Sequence, residues 1–166
     1  MSLNILSLDI ATKTGYAVYI NGQCVEDGLI KSAPKKSEHE LSRVVKFREA
    51  VKDILNRYPA IDTIAWERVD FCKFTKAHAV HHELLSVVHT LIVDADMQYC
   101  NVSVSALKRY ATGSGKASKE LMVSTGNKRW GTSYFYDSKK NTVRNQDNEV
   151  DARWVGDYFV ELSRKA

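Results

Sequence analysis

The chain has 166 residues, of which 44% are hydrophobic and 27% charged, with a net charge of +4. This ordinary globular usage excludes a disordered tail, a collagen-like rod and a coiled coil, and the length suffices for one domain that buries a core without disulfide or metal staples. No run approaches the roughly 18 apolar residues of a membrane span, and the N-terminus lacks the basic-then-apolar pattern of a secretory signal. Three widely separated cysteines, Cys24, Cys72 and Cys100, read as reduced thiols of a cytoplasm-like compartment.

Residues 3–10 read as a buried strand ending near Asp9. A second strand runs from Gly15 to Ile20, and Asn21-Gly22 is a hairpin turn, since both positions tolerate positive φ. Gln23 to Lys31 returns as a third strand. Ser37 with Glu40 forms a capping box for a helix carrying Leu41, Val44, Val45, Val51, Ile54 and Leu55 on one face, stopped by Pro59. Ile61 to Trp66 is a short apolar run closed by Glu67. A basic and aromatic loop follows, then a long helix with Val80, Leu84, Val87, Val88 and Leu91 at helical spacing. Tyr99 to Val104 is a strand, Ser105 caps a short helix reaching Tyr110, and another helix spans about 117–125. Residues 127–146 read as a polar, basic loop, and the last helix starts near Asp147 and packs through Val155, Phe159 and Leu162. Tight turns between the first three strands imply antiparallel pairing, and the helices between later strands imply parallel pairing. The expected fold is therefore α/β, one mixed five-stranded sheet with helices packed on it.

Three acids occupy positions where a charge is costly. Asp9 and Glu67 each end an apolar strand, and Asp151 lies on the packed stripe of the last helix. Taken singly, each is a strand end or helix start with a local partner. Taken together at one end of a sheet, they repel one another, and a hard divalent cation, Mg²⁺ or Mn²⁺, is the simplest remedy. Two such ions about 4 Å apart can activate a water and stabilise the leaving oxygen in phosphodiester hydrolysis. Asp147 and Glu149 read as more exposed residues that suit the helix dipole.

Four segments in order carry a resemblance: Leu-Asp-Ile-Ala-Thr-Lys-Thr-Gly-Tyr-Ala-Val around Asp9; Ala-Trp-Glu-Arg-Val around Glu67; Leu107-Lys108 followed by Thr112-Gly113-Ser114-Gly115-Lys116-Ala117-Ser118-Lys119-Glu120; and Asn148-Glu149-Val150-Asp151-Ala152. With them, most of the chain resembles the RuvC-type Holliday-junction resolvases, which have the ribonuclease H-like fold. The resemblance implies a homodimer that binds four-way DNA junctions and nicks two strands symmetrically with Mg²⁺ or Mn²⁺; the small size suits a phage or viral member. It implies that Asp9, Glu67 and Asp151 are metal ligands and that Lys108 and Lys119 lie near the scissile phosphate. The family's fourth acid falls at Asn148, which supplies a neutral oxygen but no charge; Asp147 can substitute by a one-residue shift. The glycine-rich pattern of the family's middle helix is replaced here by His78, His81 and His82.

Between residues 105 and 129, six cations (Lys108, Arg109, Lys116, Lys119, Lys128, Arg129) stand against one acid, Glu120, with Lys139, Lys140 and Arg144 extending the patch. Such charge suits a phosphate backbone, or else a solvated surface. Phe71 and Phe74, among Arg68, Lys73 and Lys76, either stack on unpaired bases or staple the following helix into the core. Ser114-Gly115-Lys116 is not a phosphate-binding NTPase loop, because Tyr110 stands where that pattern needs glycine, so no nucleotide cofactor is expected. The three histidines lack a third ligand at zinc spacing and read as helix-surface or dimer-interface residues. Three functions stay open: a metal-dependent junction endonuclease, a junction-binding protein without turnover because of Asn148, and a hybrid nuclease of the ribonuclease H type.

Overall fold

The computed structural model describes residues 3–69, 75–139 and 145–166. Its order is β1 (Ile5–Asp9), β2 (Lys13–Ile20), β3 (Gln23–Lys31), α1 (Ser42–Arg57), β4 (Thr63–Arg68), α2 (Lys76–Asp94), β5 (Gln98–Ser103), α3 (Val104–Thr112), α4 (Lys119–Trp130) and α5 (Asp147–Lys165). Strand β1 is apolar almost throughout because it lies in the middle of the sheet, whose order is β3-β2-β1-β4-β5. The β1–β2 and β2–β3 pairs are antiparallel, and β1–β4 and β4–β5 are parallel, as the connections imply. At the β2–β3 turn Asn21 and Gly22 both take positive φ, 53° and 74°, the geometry that keeps a two-residue hairpin in twist with its strands.

The pleat sends alternate side chains into two cores. Leu6, Leu8, Val18, Ile64 and Trp66 meet α1 and α2, whereas Ile5, Ala17, Tyr19 and Ala65 meet the other helices through Leu107, Met122, Trp154 and Val155. Each large side chain sealed there contributes about 1.5–3 kcal/mol of burial free energy. Helix α5 lies on β1 and β2, close enough that glycine is required in the contact. A Cβ on Gly156 would come 2.2 Å from the Tyr19 ring, and Tyr19 Oη donates to the Arg153 carbonyl at 2.8 Å.

Several local expectations need correction. Ser37 and Glu40 do not form a capping box: α1 starts at Ser42 without a side-chain cap. Glu38 holds that entry instead, accepting from the Lys35 amide, the Ser42 hydroxyl and the Lys46 ammonium. The buried face of α1 is Arg43, Phe47, Val51 and Ile54, which leaves Leu41 and Val45 half-exposed. Helix α3 is capped by Ser103, not Ser105, and α4 continues to Trp130, where Gly131 ends it in the left-handed conformation. Leu162 is 51% exposed, because α5 turns Val150, Trp154, Phe159 and Val160 to the core. Among the described residues no helix is long and apolar enough to cross a membrane.

Candidate active site

The parallel pairing of β1 with β4 sets Leu8 opposite Trp66, so Asp9 and Glu67 are the next residues along neighbouring strands. Asp9 shares its face with Ile5, and Glu67 with Ala65; both therefore project toward α5. Gly15, paired with Asp9 across β1–β2, makes room for that helix: a Cβ there would lie 1.8 Å from the Asn148 carbonyl oxygen. The start of α5 thus rests on the end of β1, and Asp147 and Asp151, one turn apart, share a helix face. From the far side come Lys108 on α3 and Lys119, the first residue of α4, whose N-cap Ser118 accepts from the Leu121 amide.

The electrostatics show that these groups share one environment. Burial, then the charge of Glu67, pushes the Asp9 carboxyl up to about 7, against the opposing pull of Lys119. Burial, then Asp151, raises Glu67 to about 7, opposed by Lys108 and Lys119. Burial, then Asp9, raises Asp151 to about 8, with Lys119 and Lys108 again opposing and Asp147 adding to the rise. Burial works against the Lys119 ammonium, but its hydrogen bond to Asp147 and the fields of Asp151 and Asp9 outweigh it and raise its pKa. Lys119 and Asp147 form a direct ion pair. The acids act on one another through space rather than as a closed cage. Among the described residues, no three His, Cys, Asp or Glu side chains stand in a ready-made metal-binding arrangement.

The structure sorts the other sequence candidates. Asn148 sits at the same helix start, its carbonyl against Gly15, but the helix-start acid whose charge acts on both Asp9 and Asp151 is Asp147. Glu149 is not exposed as expected. It is 8% exposed because the helix turns it toward β2 and β3, and its Oε2 has no hydrogen-bond partner. Arg109, Lys116 and Lys128 are exposed on or between α3 and α4, and Arg68 and Lys76 are exposed at the end of β4 and the start of α2. Arg129 leaves the basic patch: it pairs with Asp157 at 2.8 Å and stacks over Tyr110 and Trp154. His81 is buried rather than a surface residue, with Nδ1 2.9 Å from the Ile10 carbonyl oxygen, one residue beyond Asp9. Sequence spacing carried no signal for that contact. Phe71, Cys72, Lys73, Phe74, Lys140 and Arg144 lie outside the described residues.

Against solved structures, the chain superposes on Thermus thermophilus RuvC in complex with a Holliday junction substrate with a TM-score of 0.76. That match has 16% identity and covers 98% of this chain and 96% of that one. The fold is that of the RuvC-type resolvases. The yeast mitochondrial Holliday junction resolvase shares this RuvC-type fold at a TM-score of 0.68 and 12% identity, covering 99% of this chain and 80% of that one. The fowlpox virus resolvase, solved with substrate Holliday junction DNA, matches at 0.59 and 16% identity, over 95% and 99% of the two chains. No family model and no curated protein matches the sequence. At these identities the likeness is one of fold, the ribonuclease H-like sheet expected from the sequence.

Proposed function

We propose that the protein is a metal-dependent endodeoxyribonuclease that binds four-way DNA junctions as a homodimer and nicks two strands symmetrically. The observation that carries this reading is the convergence of Asp9, Glu67, Asp151 and Asp147 at one sheet end, beside Lys108 and Lys119. The RuvC-type fold supplies its context.

The donor set suits a hard divalent cation. Asp9, Glu67 and Asp151 are disfavoured as anions by burial and by one another, which is the state that an added positive charge relieves. Asp9, Glu67, Asp151 and Asp147 would hold Mg²⁺ or Mn²⁺, two ions in the full site, which when bound supply Lewis acidity and lower the pKa of water. The chain's own groups do the rest. Lys119, held by Asp147, and Lys108 place positive charge where a phosphodiester gathers negative charge on its way to cleavage. Arg68, Lys76, Arg109 and Lys116 offer charge to a DNA backbone, and Phe71, Lys73 and Phe74, outside the described residues, are the sequence's candidates for stacking and further charge.

The test is a labelled synthetic junction incubated with Mg²⁺ or Mn²⁺. Paired nicks at symmetric positions are expected, and Asp9→Asn should lower the rate about 10²–10³-fold, the effect of losing several kcal/mol of charge stabilisation. Full activity in Asp9→Asn, or binding to linear duplex as tight as to the junction, would sink the proposal. A second reading, junction binding without turnover, rests on Asn148, a neutral residue where the resolvase pattern has an acid. On that reading the wild type binds and does not cut, and Asn148→Asp restores cleavage.

A further inference from the structure

We propose that Lys13 and Lys31 form a second phosphate-binding pair on the opposite flank of the acid cluster from Lys108 and Lys119, so that a nucleic-acid strand is held on both sides of the acids. The inference rests on the nuclease reading above and assigns it a surface that no sequence motif marks.

Strands β1 and β4 deliver Asp9 and Glu67 at their carboxyl ends, and antiparallel β2 starts, and β3 finishes, at that same end. Along this sheet edge the order is therefore Lys31, Lys13, Asp9, Glu67, followed by Arg68, and Lys108 lies on α3, which packs against β4 and β5. Neighbouring strands are about 4.8 Å apart and residues two apart on a strand about 6.8 Å, so Lys13 and Lys31, one and two strands over and two residues past the register of Asp9, start about 8 and 12 Å from it. That reach corresponds to about three nucleotides at 3.4 Å of rise each.

Register then fixes the face. Lys13 pairs directly with Lys31, and Gly15, two residues on, pairs with Asp9 and touches α5. Side chains two apart on a strand share a face, so both lysines project on the side that carries Asp9, Glu67 and the start of α5.

Finally, the pair makes no ion pair where neighbouring cations do. Arg57 is committed to Glu26 and Asp53, Lys46 to Glu38, and Arg153 to Asp27. Lys13 and Lys31 are both exposed and have no ion pair among the described residues. Like charges set directly opposite on adjacent strands destabilise a sheet, and a bound phosphate removes that repulsion. A chain that needed only a solvated strand end would gain from an acid at either position.

The experiment measures the dissociation constant of a fluorescent four-way junction in EDTA across a salt series, with linear duplex in parallel. It compares the wild type, Lys13→Ala/Lys31→Ala, Lys13→Arg/Lys31→Arg, and Lys52→Ala, which removes one charge from the exposed side of α1. The alanine pair should weaken binding about tenfold at moderate salt. It should also lower the slope of log affinity against log salt by about 2, close to 0.9 per lost phosphate contact. The arginine pair should keep the wild-type slope, and the alanine pair should melt no lower than wild type. An alanine pair with the wild-type slope, or a loss no larger than that of Lys52→Ala, overturns the proposal. If junction and duplex bind equally, the junction reading fails while the slope on duplex still decides the lysine pair. If the wild type binds neither DNA, both fall.

Discussion

At the scale of single residues, the site turns on which carboxylate answers for Asn148. Asp9, Glu67 and Asp151 are legible in the sequence because each interrupts or ends an apolar pattern that has no structural use for a charge. Asp147 is not legible in that way, since an acid at a helix start needs no further explanation. What singles it out is helix phase. It lies one turn before Asp151, pairs with Lys119, and acts on both Asp9 and Asp151. On the nuclease reading, Asp147→Asn should lower turnover about tenfold or more, whereas Asn148→Asp should change it less than about threefold. Single-turnover rates on a junction with Mn²⁺ settle the matter. The reverse ranking would show that the missing charge belongs at residue 148. The lysine pair is the extreme case of illegibility: Lys13 and Lys31 are eighteen positions apart and carry no motif, and only sheet register brings them together.

At the scale of elements, the geometry of the acids depends on how closely α5 approaches β2. Gly15 permits that approach, and Gly156 on α5 repeats it further along the same face of β2, against Tyr19. Gly15→Ala forces a Cβ into the backbone at Asn148, where no flexible side chain can yield. We expect a loss of about 1–3 kcal/mol of stability as α5 lifts. Cleavage should fall further than stability, because Asp147 and Asp151 move with the helix. Thermal melting beside a cleavage assay checks this; an active Gly15→Ala of wild-type stability contradicts the packing described. The elements that were legible in the sequence rest on local chemistry: the Asn21-Gly22 turn, the apolar β1, and the alternation of later strands with helices. Those that were not rest on choices between equivalent local signals. Ser103 and Ser105 are both competent caps, and the chain uses the one at the end of β5. Ser37 and Glu40 have capping-box spacing, yet Glu38 reaches Lys46 and organises the turn. Leu41 and Val45 fit a helical stripe, but Phe47 is larger and takes the core.

At the scale of the whole molecule, the modest net charge conceals a division between a buried acidic site and cations ranged along its rim. Part of the expected basic patch has another purpose. Arg129 sits between Asp157 and the Tyr110–Trp154 rings, so Arg129→Gln should lower stability and leave the salt slope of DNA binding unchanged. The acidic site sets the pH response of the fold. In the folded chain the Asp9, Glu67 and Asp151 carboxyls hold their protons to about 7, 7 and 8, well above their ordinary values of 3.8, 4.5 and 3.8. Between about pH 4 and 8 the folded state therefore binds more protons than the unfolded state, and stability falls as pH rises through that window. The contribution is fully present below the unfolded values and is lost as pH passes 7–8. Glu26 acts in the opposite sense. Its hydrogen bonds from Arg57 hold it near 2, so its contribution is present above about 4.5 and disappears as pH falls toward 2. Metal-free protein should accordingly melt at its highest temperature in mildly acid solution and several degrees lower near pH 8.5. Mg²⁺ or Mn²⁺ binds the deprotonated carboxylates, so it should raise the melting temperature more at pH 8 than at pH 6, and Asp9→Asn should flatten the metal-free profile. A calorimetric series over pH 5–9 with and without metal tests all three. A metal-free melting temperature that rises toward pH 8 would mean that the acids are not held in the desolvated, mutually repelling arrangement from which the metal site is argued.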